Sequence, residues 1–220
     1  MPRILFKKTG NAVWMSHLDL MRLFQRAFKR AGLQLTHTQG FNPRPSVSIA
    51  LPLSVGTQSY CELLDFELNT QTPVENSEIG ERLNKALVDG VEVLHVYNEG
   101  GKLRELMFMG CRISLDYDSG VADGTPETLK QLFSTDSLIV EKKSKNGTQE
   151  QDIIPMIQTL NVYKVDDQKV IIEAVVRCQN PALNPAQLIN AIERYQPDFI
   201  PNSFQISRID LYDEQEKIFR

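Results

Sequence analysis

The chain is expected to fold as an α+β protein of two tandem ferredoxin-like (βαββαβ) units, the second carrying an insertion. Three observations predict this. Apolar residues alternate at period two in short runs and recur at helical spacing in others, in the order strand, helix, strand, strand, helix, strand. Gly100-Gly101-Lys102 then reads as a linker, and the same order of elements follows it. Finally, 220 residues with 41% hydrophobic and 24% charged content suit one large or two small globular domains. The expected units span residues 1–100 and 108–220.

Residues 3–8 form the first expected strand, and Gly10-Asn11 marks a turn. Ser16 followed by Asp19 three residues later resembles a capping box and opens a helix that Gly32 stops. Leu20, Phe24, Ala27 and Ala31 line one face of that helix, while Arg22, Arg26, Lys29 and Arg30 gather on another. The stretch Gly40-Phe41-Asn42-Pro43-Arg44-Pro45 is a loop stiffened by Pro43 and Pro45, with Phe41 expected to plug into the core. Residues 46–53 and 60–68 read as strands joined across Ser54–Thr57 and Gly56. Residues 77–87 follow as a helix and 91–97 as a strand.

In the second unit, 111–117 is an expected strand, and Thr125-Pro126 opens a helix with proline at a favourable first-turn position. Residues 137–143 form a strand and 144–151 a polar loop, within an insertion at about 144–158. Asp166-Asp167-Gln168 turns a hairpin between 161–165 and 169–177. Asn184-Pro185-Ala186-Gln187 opens the last helix, and 204–212 closes the unit with a strand.

Charge is uneven. Residues 1–50 carry eight basic side chains against Asp19 alone, a net +7, while the whole chain is at -4. A basic segment on an acidic protein points to an anionic partner such as RNA or an acidic protein face. The candidate partner-binding residues are Lys7, Arg22, Arg26, Lys29, Arg30, Asn42 and Arg44. Ser16, Asp19, Gly40, Phe41, Pro43, Pro45 and Gly56 form the structural motif around them. His17 and His37 are the candidate acid–base residues, and their pairing requires that they meet in one cleft. Phe6, Phe66 and Tyr117 are too few to suggest base stacking on the open face of a sheet. Cys61, Cys111 and Cys178 are too far apart for a zinc ribbon or a disulfide framework, which suits a reducing cytoplasm. No metal site and no cofactor is expected. The sequence also holds no 18-residue apolar run, so no membrane-spanning helix is expected.

The runs Trp14-Met15-Ser16-His17-Leu18-Asp19-Leu20-Met21-Arg22, Gly40-Phe41-Asn42-Pro43-Arg44-Pro45 and Leu53-Ser54-Val55-Gly56 resemble those of the bacterial radical-SAM-linked proteins. Members of that family stand alone, or are fused to or encoded beside a radical SAM enzyme. Arg44 departs from the family pattern, which often has His between the two prolines. The CxxxCxxC spacing that holds a radical SAM iron–sulfur cluster is absent, so the resemblance implies a radical SAM partner on a separate chain. The expected function is therefore a non-catalytic accessory or adaptor that binds RNA or a ribonucleoprotein. The alternatives are an RNA-processing or RNA-modifying enzyme using His17 and His37, and a protein-only adaptor.

Overall fold

Alternation along β1 (Arg3–Lys8) sends Ile4 and Phe6 to one face of a sheet, and both are fully buried there. This computed structural model describes residues 1–39, 41–69, 74–144 and 147–220. It divides into a first unit of residues 1–103 with Arg220 and a second of residues 104–219. The fold is mixed α+β, with four α-helices among the described residues.

In the first unit, β1 is followed by a 3₁₀ turn (Gly10–Trp14), α1 (His17–Arg30), β2 (Val47–Ile49), β3 (Gln58–Phe66), α2 (Asn76–Ala86) and β4 (Val91–Tyr97). The strands pair antiparallel in the order β4-β1-β3-β2. Leu20, Phe24, Ala27 and Phe28 of α1 and Ile79 and Leu83 of α2 cover the Ile4/Phe6 face. Phe6 meets Phe24 edge-on at 4.7 Å between ring centroids, and Phe28 meets Phe66 at 5.2 Å. Such pairs contribute about 0.5–1.5 kcal/mol beyond the area they bury.

β2 is shorter than the strand expected over 46–53. Pro52 has no amide hydrogen for the ladder, and beyond β2 the Ala50 amide donates to the Leu63 carbonyl. Gly100 is also more than a linker residue. A Cβ there would fall within 2.5 Å of the Arg3 guanidinium, which is itself buried and bound bidentately to Asp65 at 2.6 and 3.0 Å.

The second unit runs β5 (Leu106–Asp116), α3 (Thr125–Leu132), β6 (Ile139–Ser144), β7 (Gly147–Asp152), β8 (Ile157–Asp166), β9 (Lys169–Arg177), α4 (Ala186–Tyr195) and β10 (Ser203–Asp213). Its main strands pair antiparallel in the order β10-β5-β9-β8, and β6 and β7 form a separate hairpin. With that hairpin set aside, each unit places its strands in the order fourth, first, third, second. The stretch read as a polar loop over 144–151 is therefore largely the strand β7. Residues 147–150 of β7 are exposed, so no apolar alternation marks it in the sequence. At the start of α4, Asn184 Oδ1 accepts from the Ala186 amide, and Gln187 Oε1 accepts from the Asn184 amide, which satisfies two free ends reciprocally.

All three cysteines are free and buried. Burial pushes the Cys111 thiol up to about 12 and the Cys178 thiol up to about 11, so neither forms thiolate near neutral pH. Iodoacetamide at pH 8 is expected to leave all three unmodified in the folded chain and to alkylate all three in denaturant. Rapid native modification at any of them contradicts this packing.

Candidate nucleic-acid interface

α1 is defined at both ends by its sequence. Ser16 Oγ accepts from the Asp19 amide at 3.2 Å and donates to Asp19 Oδ2 at 2.7 Å. Arg22 pairs with Asp19 Oδ1 at 3.3 Å. The Ser16 hydroxyl and, behind it, the Arg22 guanidinium hold the Asp19 carboxyl below its ordinary value. At the other end Gly32 has φ +70°, and the Leu33 amide returns to the Phe28 carbonyl at 2.9 Å, closing a glycine stop.

With one face of α1 packed on the sheet, Arg22, Arg26, Lys29 and Arg30 are left exposed. They are not equivalent. Arg30 donates to the carbonyl of Ala86, the last residue of α2, and so ties the two helices together. Among the described residues, the side chains of Arg26 and Lys29 make no ion pair or hydrogen bond. Lys7 does not join them: alternation along β1 points it away from the face the helices cover, and it pairs with Glu92 at 2.5 Å.

Arg44 and Asn42 are exposed in the loop after α1. The Thr38 amide donates to the Arg44 carbonyl at 2.8 Å, and the Arg44 amide donates to Thr38 Oγ1 at 3.0 Å. His37 bridges Pro45 at the base of the same loop. Phe41 is fully exposed, not plugged into the core as expected. The cross-links at 38 and 44 hold the tip outward, and the core beneath α1 is already filled by Phe28 and Phe66. Gly40 lies outside the described residues. A cleft of about 490 Å³ lies between the loop base and the C-terminal end of α1, lined in part by Gln25, Lys29, Gln34, His37, Pro45 and Asn69.

His17 sits at the opposite end of α1, about 20 Å from Ala31 at 1.5 Å per residue, and does not line that cleft. Of the two candidate acid–base residues, His37 lines that cleft and His17 does not. No group of three or more His, Cys, Asp or Glu side chains converges on a metal position among the described residues.

Two residues were not singled out by sequence reasoning. Lys8 is 1% exposed, and its Nζ donates to the carbonyls of Val13 at 3.2 Å and Met15 at 2.9 Å. Trp14, between those two carbonyls, is 71% exposed. Gly56, at φ +84°, donates its amide to the same Val13 carbonyl, and a Cβ on it would lie 3.5 Å from the Trp14 ring. A buried lysine and an exposed tryptophan both run against residue-type preference, so only the coordinates reveal them. The second unit has its own cleft of about 350 Å³ beside Thr159, Asn161, Glu173 and Tyr212.

A two-unit α+β scaffold with a cationic helix face defines the class of protein. Residues 2–185 match the family described as "Uncharacterized protein conserved in bacteria (DUF2344)", and the chain belongs to that family. A search of curated proteins finds no match. Among solved structures, a chain of a Cbf5-Nop10-Gar1 complex is similar in fold, with a TM-score of 0.53 at 7% identity. The match covers 97% of this chain and 50% of that one, so this chain spans half the length of its structural counterpart. An unknown protein from Galdieria sulphuraria matches over 96% of both chains at 10% identity, with a TM-score of 0.26. No helix among the described residues is long and apolar enough to cross a membrane.

Two substitutions test the local construction. Ser16→Ala is expected to cost about 1 kcal/mol of stability through the lost cap. It is also expected to raise the Asp19 titration midpoint, followed by NMR, toward the ordinary carboxylate value. The sign follows from linkage: a lowered folded-state value contributes stability above the unfolded value and loses it as pH falls through the folded one. An unmoved Asp19 midpoint contradicts the Ser16–Asp19 bond. Lys8→Met leaves two carbonyls without their shared donor and is expected to lower the unfolding free energy by about 3 kcal/mol in urea denaturation. An unchanged midpoint contradicts its role.

Proposed function

We propose that this chain is a non-catalytic accessory protein that binds RNA, alone or within a ribonucleoprotein, through the exposed face of α1 and the Phe41–Pro45 loop. It works in the cytoplasm beside a radical SAM enzyme carried on a separate chain. The radical SAM link is supported by the motif resemblance at residues 14–22, 40–45 and 53–56. The two units are read as tandem ferredoxin-like units, which their common strand order supports.

The observation that carries the RNA reading is that Arg26 and Lys29 have no partner among the described residues. Exposed cations with nothing of their own to neutralise are free to replace the counterions of a phosphate backbone. Arg22 and the exposed Arg44 extend the charge to either side. The non-catalytic reading draws on the cleft beside the loop, which His37 lines without His17.

Binding of a labelled RNA between 50 and 200 mM salt tests this. Four phosphate contacts predict a slope of log K against log salt of about -3 on a single strand, at about -0.7 per contact. Arg26→Ala combined with Lys29→Ala is expected to reduce the slope by about 1.4 while leaving thermal stability nearly unchanged. A slope near zero contradicts RNA binding. Capture of the partner protein that survives nuclease treatment, together with that flat slope, favours a protein-only adaptor.

A further inference from the structure

We propose that Trp14 is a stacking platform for an unpaired nucleobase, so that the nucleic acid met by α1 is single-stranded. This rests on the RNA-binding reading above and narrows its substrate class. Trp14, Leu18 and Val55 are 71%, 65% and 54% exposed, large apolar side chains left in water where residues of this kind are ordinarily buried.

The exposure is built into the backbone. Lys8 Nζ holds the carbonyls on both sides of Trp14, and the Gly56 amide holds that of Val13 from the other direction. The ring rests near a glycine that offers it no side chain, and most of the residue faces solvent. With the backbone held on both sides, only side-chain freedom is lost when a flat partner settles on the ring.

Two further features select a nucleobase. Leu18 shares its helix face with Arg22, four residues on, and Lys29, eleven residues on, so the apolar end runs directly into the cationic row. Leu18 to Lys29 spans about 17 Å at 1.5 Å per residue, room for roughly four nucleotides, the short end of single-strand site sizes. The Asp19 carboxylate already occupies the start of α1, so phosphates fall to Arg22, Arg26 and Lys29 and not to the helix terminus. A duplex presents phosphates but keeps its bases stacked inside. A single strand offers phosphates and a free base together.

Trp14 is the only tryptophan in the chain, so its emission reports on its own contacts. The full chain is titrated with an eight-nucleotide oligouridylate and with an RNA duplex of equal phosphate count. The oligouridylate is expected to quench Trp14 emission and the duplex to leave it unchanged. Trp14→Ala is expected to weaken oligouridylate binding about tenfold, as loss of one stacked base does, and Trp14→Phe to retain most of the affinity. Neither variant should change the salt slope. If the oligouridylate binds with the expected salt dependence while emission is unmoved, the stacking proposal is overturned and the cationic surface stands. Binding of neither RNA at 50 mM salt overturns both.

Discussion

Lys8 carries its side chain into the face of β1 that the helices cover, where a lysine is costly unless its donors find acceptors. The backbone supplies them. After β1 the chain turns through Gly10–Trp14 and brings the carbonyls of Val13 and Met15 over the buried nitrogen. That contact fixes where the turn ends, and with it where Ser16 stands to begin α1. The start and direction of α1 then decide which side chains meet the sheet and which meet solvent. Trp14 is held outward because its two neighbours are held inward.

The strongly basic first fifty residues divide by element. On β1, every cation is met from within the unit: Arg3 by Asp65, Lys7 by Glu92, Lys8 by backbone carbonyls. On α1 and the loop beyond it, satisfaction thins out. Arg22 keeps an exposed partner in Asp19, Arg30 caps α2, and Arg26 and Lys29 have none among the described residues. A compositional excess of +7 thus resolves into a short row of available charge, flanked by exposed aromatic residues at Trp14 and Phe41. An exposed pair such as Arg22–Asp19 contributes little stability, so opening it toward a phosphate costs little.

Much of this was legible beforehand. α1 was readable because a 3.6-residue apolar stripe, a Ser/Asp start and a Gly stop all agree. The order of strands and helices followed from short alternating runs, and the Asn184–Gln187 cap from its residue types alone. Other features carried no signal. β7 is largely exposed, so its sequence looks like loop. Phe41 was assigned to the core on residue type, but the Thr38–Arg44 cross-links that turn it outward join residues six apart and leave no periodicity. The distance from His17 to the far end of α1 needed only the helix length, whereas the burial of Lys8 needed the carbonyls of a turn whose path the sequence does not specify.

Photo-crosslinking of a 4-thiouridine oligonucleotide to the intact chain, mapped by mass spectrometry, tests most directly whether α1 and its two flanks form the nucleic-acid surface. Crosslinks are expected on residues 14–18, on the exposed positions of 22–29, and on 41–44. Crosslinks concentrated instead beside the cleft at Asn161 and Tyr212, with residues 14–29 unlabelled, would contradict it.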